Sequence, residues 1–102
     1  MKKIINGRLY STHSAIMLSS RDNGYYADNA YWLQETLYLK KTGEFFLHCE
    51  GGGLSKYAAS YGNHTSSGEV IRPLTVDEAK RWAEQYCSVD TYLTIFGLDV
   101  SE

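Results

Sequence analysis

The stretch Leu33 to Glu50 holds two alternating runs around Lys41-Thr42-Gly43 and reads as one long β-hairpin. With those three residues as the loop and Gly43 in the left-handed region, Lys40 faces Glu44, Leu39 faces Phe45 and Leu37 faces Leu47. Leu37, Leu39, Phe45, Leu47 and Cys49 then share one face. Thr36, Tyr38, Lys40, Glu44, Phe46, His48 and Glu50 share the other, which is amphipathic rather than wholly solvated. A slip of one residue mixes the two sets, so the register is strongly specified. Every other segment must be placed against this two-faced ribbon.

Lys3 to Tyr10 carries a second hairpin signal, because Asn6-Gly7 tolerates the positive φ angles of a type I′ turn and pairs Ile5 with Arg8 and Ile4 with Leu9. Ser14 to Ser19 is a short apolar run, read as a strand that Arg21-Asp22-Asn23-Gly24 breaks. Tyr25 to Ala30 reads as a loop rich in tyrosine and Asx residues. After Gly51-Gly52-Gly53, the small polar residues from Leu54 to Gly68 read as a long loop with one helical turn at Ser55 to Ala59. Glu69 to Arg72 is a short strand.

Thr75 to Glu78 is a capping box, with Asp77 and Glu78 at the positive end of the helix dipole. Ala79, Trp82, Ala83 and Tyr86 recur at helical spacing as a stripe that can lie on the sheet. Ser88 caps a second helix with Val89, Tyr92, Leu93 and Phe96 as its inner face and Gly97 as its end. Strands first and helices last is an α+β pattern. The expectation is one domain over residues 1–102: a small antiparallel sheet of about five to six strands, including two hairpins, with two C-terminal helices covering one face.

A 102-residue chain with 43% hydrophobic residues and one proline can bury a core of its own. Its formal charge of −2 is too balanced to mark a dedicated nucleic-acid binder, although the part from Gly51 onward is mildly acidic. Cys49 and Cys87 make no disulfide framework and read as two buried or half-buried thiols. With only Ile4-Ile5 apolar after Met1-Lys2-Lys3, no signal peptide or membrane span is read, and a cytoplasmic protein is expected.

Local chemistry argues against an enzyme. His13, His48 and His64 fall on separate segments without ligand spacing, so no metal or cofactor is expected. Cys49 and His48 are strand neighbours and point to opposite faces, which defeats a nucleophile–base pair. Glu50 to Lys56 lacks the spacing of a phosphate loop, and the glycines read instead as a place of close backbone approach.

The anomaly is tyrosine, nine in 102 residues. Tyr25, Tyr26, Tyr31, Tyr57 and Tyr61 fall in or beside loops, where they either meet a partner or pack their loops onto the sheet through Tyr38 and Phe46. The expected partner-binding set is Tyr25, Tyr26, Tyr57 and Tyr61, with Glu69 and Asp99 at its rim. The alternative is nucleic-acid association through Lys2, Lys3, Arg8, Lys40 and Lys41. Nothing in the pattern selects monomer or dimer.

The words Ile-Ile-Asn-Gly-Arg-Leu-Tyr at 4–10, Glu-Thr-Leu-Tyr-Leu-Lys-Lys-Thr-Gly-Glu-Phe-Phe-Leu-His at 35–48, Glu-Gly-Gly-Gly-Leu-Ser-Lys-Tyr-Ala at 50–58 and Ile-Arg-Pro-Leu-Thr-Val-Asp-Glu-Ala-Lys-Arg-Trp-Ala-Glu at 71–84 form a set. Together they resemble small cytosolic proteins of phages and integrative mobile elements of Gram-positive bacteria. The resemblance covers nearly the whole chain and transfers no catalytic residue. By analogy of genomic setting it implies an anti-CRISPR type of inhibitor that binds a CRISPR effector nuclease.

Overall fold

The computed structural model describes residues 1–97. Eight strands precede two helices: β1 (Lys2–Ile5), β2 (Arg8–Ser11), β3 (Ile16–Asp22), β4 (Leu33–Leu39), β5 (Phe45–Gly51), β6 (Ala59–Tyr61), β7 (His64–Ser66), β8 (Gly68–Leu74), α1 (Val76–Tyr86) and α2 (Val89–Phe96). The main sheet is antiparallel in the order β3-β4-β5-β8, while β1-β2 and β6-β7 are separate two-stranded ribbons. The architecture is α+β, as expected, but its strands divide among three sheets.

The central hairpin β4-β5 has the register its residues dictate, with Leu37 opposite Leu47 and Leu39 opposite Phe45. Its loop closes through Gly43 N–H to the Lys40 carbonyl at 2.9 Å, with Gly43 at φ 91°. The face bearing Leu37, Phe45, Leu47 and Cys49 meets Trp82, Ala79 and Ala83 of α1. On the opposite face Phe46 is fully buried under the β1-β2 ribbon. Tyr10 meets Phe46 edge-on at 5.6 Å, and Tyr38 stacks on it at 5.1 Å. Tyr10, rather than a loop tyrosine, therefore covers the Tyr38–Phe46 surface.

Both helices begin at their sequence caps. Thr75 Oγ1 accepts from Glu78 N–H at 3.1 Å, and Glu78 Oε1 accepts from Thr75 N–H at 2.9 Å. Ser88 Oγ accepts from Thr91 N–H at 3.2 Å. In α2 the packed residues are Tyr92, Ile95 and Phe96, whereas Val89 is 75% exposed. Val89 lies within about 20° of the packed Phe96 round the helix, so its exposure comes from its place as the first residue of α2 and not from its angle.

Two further readings change. Arg21 and Asp22 continue β3 instead of ending it, because Arg21 pairs across the ladder with Glu35. The stretch read as an open loop contains the β6-β7 hairpin, with Tyr61 opposite His64 across Gly62-Asn63. Among the described residues, no helix is long and apolar enough to cross a membrane.

Candidate functional site

Strand alternation puts Leu33, Glu35 and Leu37 on the helix-covered face, so a carboxylate enters the core between two leucines. Glu35 is 2% exposed. Its Oε1 accepts from Arg21 Nε at 2.9 Å and from Trp82 Nε1 at 3.1 Å. The Tyr57 hydroxyl donates to Oε2, and Lys56 Nζ stands 3.5 Å from the same oxygen. Arg21 continues the network to the Tyr86 hydroxyl at 2.9 Å and lies over that ring at 4.1 Å. A buried charge is tolerated only when paired and hydrogen-bonded, and here three other segments supply the partners.

Burial pushes the Glu35 carboxyl up, but the Tyr57 and Trp82 hydrogen bonds and the charges of Lys56 and Arg21 outweigh it and hold it below the usual range. Tyr57 moves the other way: burial, then its bonds to Glu35 and Cys49, keep the phenol protonated. Burial likewise pushes the Cys49 thiol up, away from the reactive thiolate. Glu35 is thus an acceptor-only anchor whose oxygens are already engaged. It joins β3, β4, α1 and the Lys56–Tyr57 segment.

That anchor sets the end of the sheet where β4 starts and β5 stops. The connection from Asn23 to Trp32 is stitched there by its Asx residues. Asn23 accepts from Leu33 N–H through Oδ1 and donates to the Tyr31 carbonyl through Nδ2. Asn29 Oδ1 accepts from Tyr31 N–H at 2.8 Å. The glycine run buttresses it, with Gly52 N–H on the Trp32 carbonyl and Leu54 N–H on the Ala30 carbonyl, both at 2.8 Å. A Cβ on Gly52 would stand 2.5 Å from the Ala30 oxygen, so close backbone approach is what the glycine permits there.

On this frame Tyr25, Tyr26 and Tyr31 are exposed, at 49%, 86% and 55%. Tyr25 and Tyr31 lie 6.0 Å apart, centroid to centroid. Tyr61, on the β6-β7 hairpin, is 68% exposed, and Leu54 is exposed beside the glycine run. Ala27, Trp32, Glu50 and Glu69 line an open depression of about 450 Å³ at the same end. Glu50 and Glu69 face each other across β5 and β8, and Glu69 Oε2 is 2.8 Å from His48 Nε2.

The structure therefore divides the tyrosines that the sequence grouped. Tyr25, Tyr26 and Tyr61 offer their rings to solvent, and Glu69 lies at the rim of the depression. Tyr57 does not belong with them: it is 8% exposed, and its phenol points into the core at Glu35. Asp99 lies outside the described residues. Sequence reasoning missed Glu35, although its parity with Leu33 and Leu37 pointed inward. His48 and Cys49 lie on opposite faces, His48 with Glu69 and Cys49 in the core under α1. Among the described residues, no three His, Cys, Asp or Glu side chains gather as a metal site. Compared with protein families, curated proteins and solved structures, the chain finds no match.

Proposed function

We propose that this chain is a non-enzymatic binding protein that docks on a protein partner through the aromatic end of its sheet. Its concrete form is an anti-CRISPR type of inhibitor that obstructs a host defence nuclease. The observation that carries the reading is the set of exposed tyrosines, Tyr25, Tyr26, Tyr31 and Tyr61, presented at one end of the sheet. The loop bearing the first three is held by side-chain and backbone hydrogen bonds, which lowers the ordering cost of binding. Tyrosine supplies large contact area with few rotors to immobilise. Glu50 and Glu69 give this end an acidic border suited to a basic surface such as a nuclease channel. The resemblance to mobile-element proteins supports the nuclease form.

The test is DNA cleavage by purified CRISPR effector nucleases of Gram-positive origin, with and without the protein. At least one effector should be slowed and should form a complex stable to gel filtration. Tyr26→Ala/Tyr61→Ala should weaken that complex about 30-fold or more. Undiminished cleavage and no complex with any effector would defeat the nuclease form. Equal binding by the double variant would defeat the aromatic surface.

A further inference from the structure

At the other end of the central hairpin, about 20 Å along the strands from the tyrosines, two turns come together. Arg8, just past the Asn6-Gly7 turn, donates through Nη1 to Glu44 Oε2 at 2.7 Å. Lys40 Nζ and the Thr42 hydroxyl both reach Glu44 Oε1, at 3.0 and 2.9 Å. Hydrogen bonds from Arg8, Lys40 and Thr42 hold the Glu44 carboxyl down to about 2, so it remains the ionised tie between the turns. Beside it opens a cleft of about 440 Å³, lined by Arg8, Lys40 and Lys41 and by the hydroxyl-bearing Ser11, Ser14 and Thr42.

We infer that this cleft binds the phosphate backbone of a nucleic acid, without regard to base sequence, at a site separate from the aromatic end. Three cations face one carboxylate in the cleft, inside a protein whose overall charge is −2. Glu44 engages one N–H of the exposed Arg8 fork and leaves its other donors for phosphate oxygens; Lys41 is exposed as well, while the Lys40 ammonium, held between Glu44 and the Tyr10 ring, contributes positive charge. Ser14 adds an exposed hydroxyl beside these cations, a usual companion of phosphate contacts. No aromatic ring lines the cleft, so bases have no stacking platform there and the contact is with the backbone. A polymer suits the site better than a free anion because the positive surface continues along the first ribbon. Lys3, two residues from Ile5 and across the ladder from Tyr10, shares the Arg8 face of the ribbon and is exposed.

The test is fluorescence anisotropy of a short labelled single-stranded oligonucleotide of mixed sequence, titrated with the intact protein over a range of salt. Binding should weaken with salt at about 0.7 logarithmic units per phosphate neutralised, giving a slope near −2 for about three contacts. Lys41→Glu alters an exposed turn residue and should weaken binding about tenfold while the circular dichroism spectrum is unchanged. Arg81→Glu, in a separate groove with Lys56 and Arg72, should change affinity less than twofold. Scrambling the oligonucleotide should have no effect, and inorganic phosphate at equal phosphate concentration should compete poorly. Absence of binding at low salt, an equal loss in Arg81→Glu, an intact affinity in Lys41→Glu, or full competition by inorganic phosphate would each overturn the assignment. The experiment uses no protein partner, so its failure leaves the docking role of the aromatic end as it stands.

Discussion

Glu35 takes hydrogen bonds from residues 14, 22 and 47 positions away, Arg21, Tyr57 and Trp82, and so ties elements that no local pattern connects. Removing the carboxylate leaves Arg21 as a half-buried cation without its anionic partner and the buried Trp82 and Tyr57 donors unpaired. Glu35→Ala should therefore cost about 3–5 kcal/mol in urea unfolding. The acid limb follows from the same group. A carboxyl held below its ordinary value in the folded state contributes stability above about pH 4.3, and that contribution is lost as pH falls through the folded value. The wild-type melting temperature should fall as the pH drops from about 4.3 toward the folded value, and Glu35→Gln should flatten the fall; an unchanged acid limb in Glu35→Gln would assign it to other carboxylates. Trp82→Ala removes both a donor to Glu35 and the ring between α1 and the sheet, and should cost about 3–5 kcal/mol by the same measurement. The inward place of Trp82 was legible from helical spacing. Glu35 had the right parity, but its charge masked it, because the partners that make burial tolerable are remote in sequence. Tyr57 was hidden for the same reason, since its loop-like neighbours reveal nothing of an acceptor on β4.

At the scale of elements, the pieces set by contacts within a few residues were the readable ones. The two tight hairpins and the capping box follow from turn and cap chemistry that each segment carries alone. The β6-β7 ribbon was not readable, because its short exposed strands have no apolar alternation and their outer ends pack close against Gly53 and Gly68. That packing is testable at the glycines. A Cβ on Gly68 would overlap the Tyr57 carbonyl oxygen, whereas one on Gly53 would meet Ser66 and Thr65 at 3.4 Å. Gly68→Ala should cost about 1–3 kcal/mol and Gly53→Ala within about 0.5 kcal/mol, read from chemical denaturation. Equal tolerance at both positions would show that the Tyr57 segment does not press on the start of β8.

The whole molecule has polarity along its sheet. One end carries exposed tyrosines with Glu50 and Glu69, and the other carries Arg8, Lys40 and Lys41 around Glu44. Net charge alone conceals this, because −2 adds ten basic and twelve acidic residues without regard to their place. The tyrosines divide into an exposed set, proposed to bind, and a buried member, Tyr57, that holds Glu35 in the core. Tyr25→Ala/Tyr26→Ala/Tyr61→Ala and Tyr57→Phe should therefore be compared for both thermal unfolding and affinity for the proposed nuclease partner. The triple variant should melt within about 2 °C of wild type and lose binding about 30-fold or more. Tyr57→Phe, which leaves Glu35 without one donor, should lower stability by about 1–3 kcal/mol and bind normally while folded. A triple variant that unfolds, or one that stays folded and binds undiminished, would contradict the account.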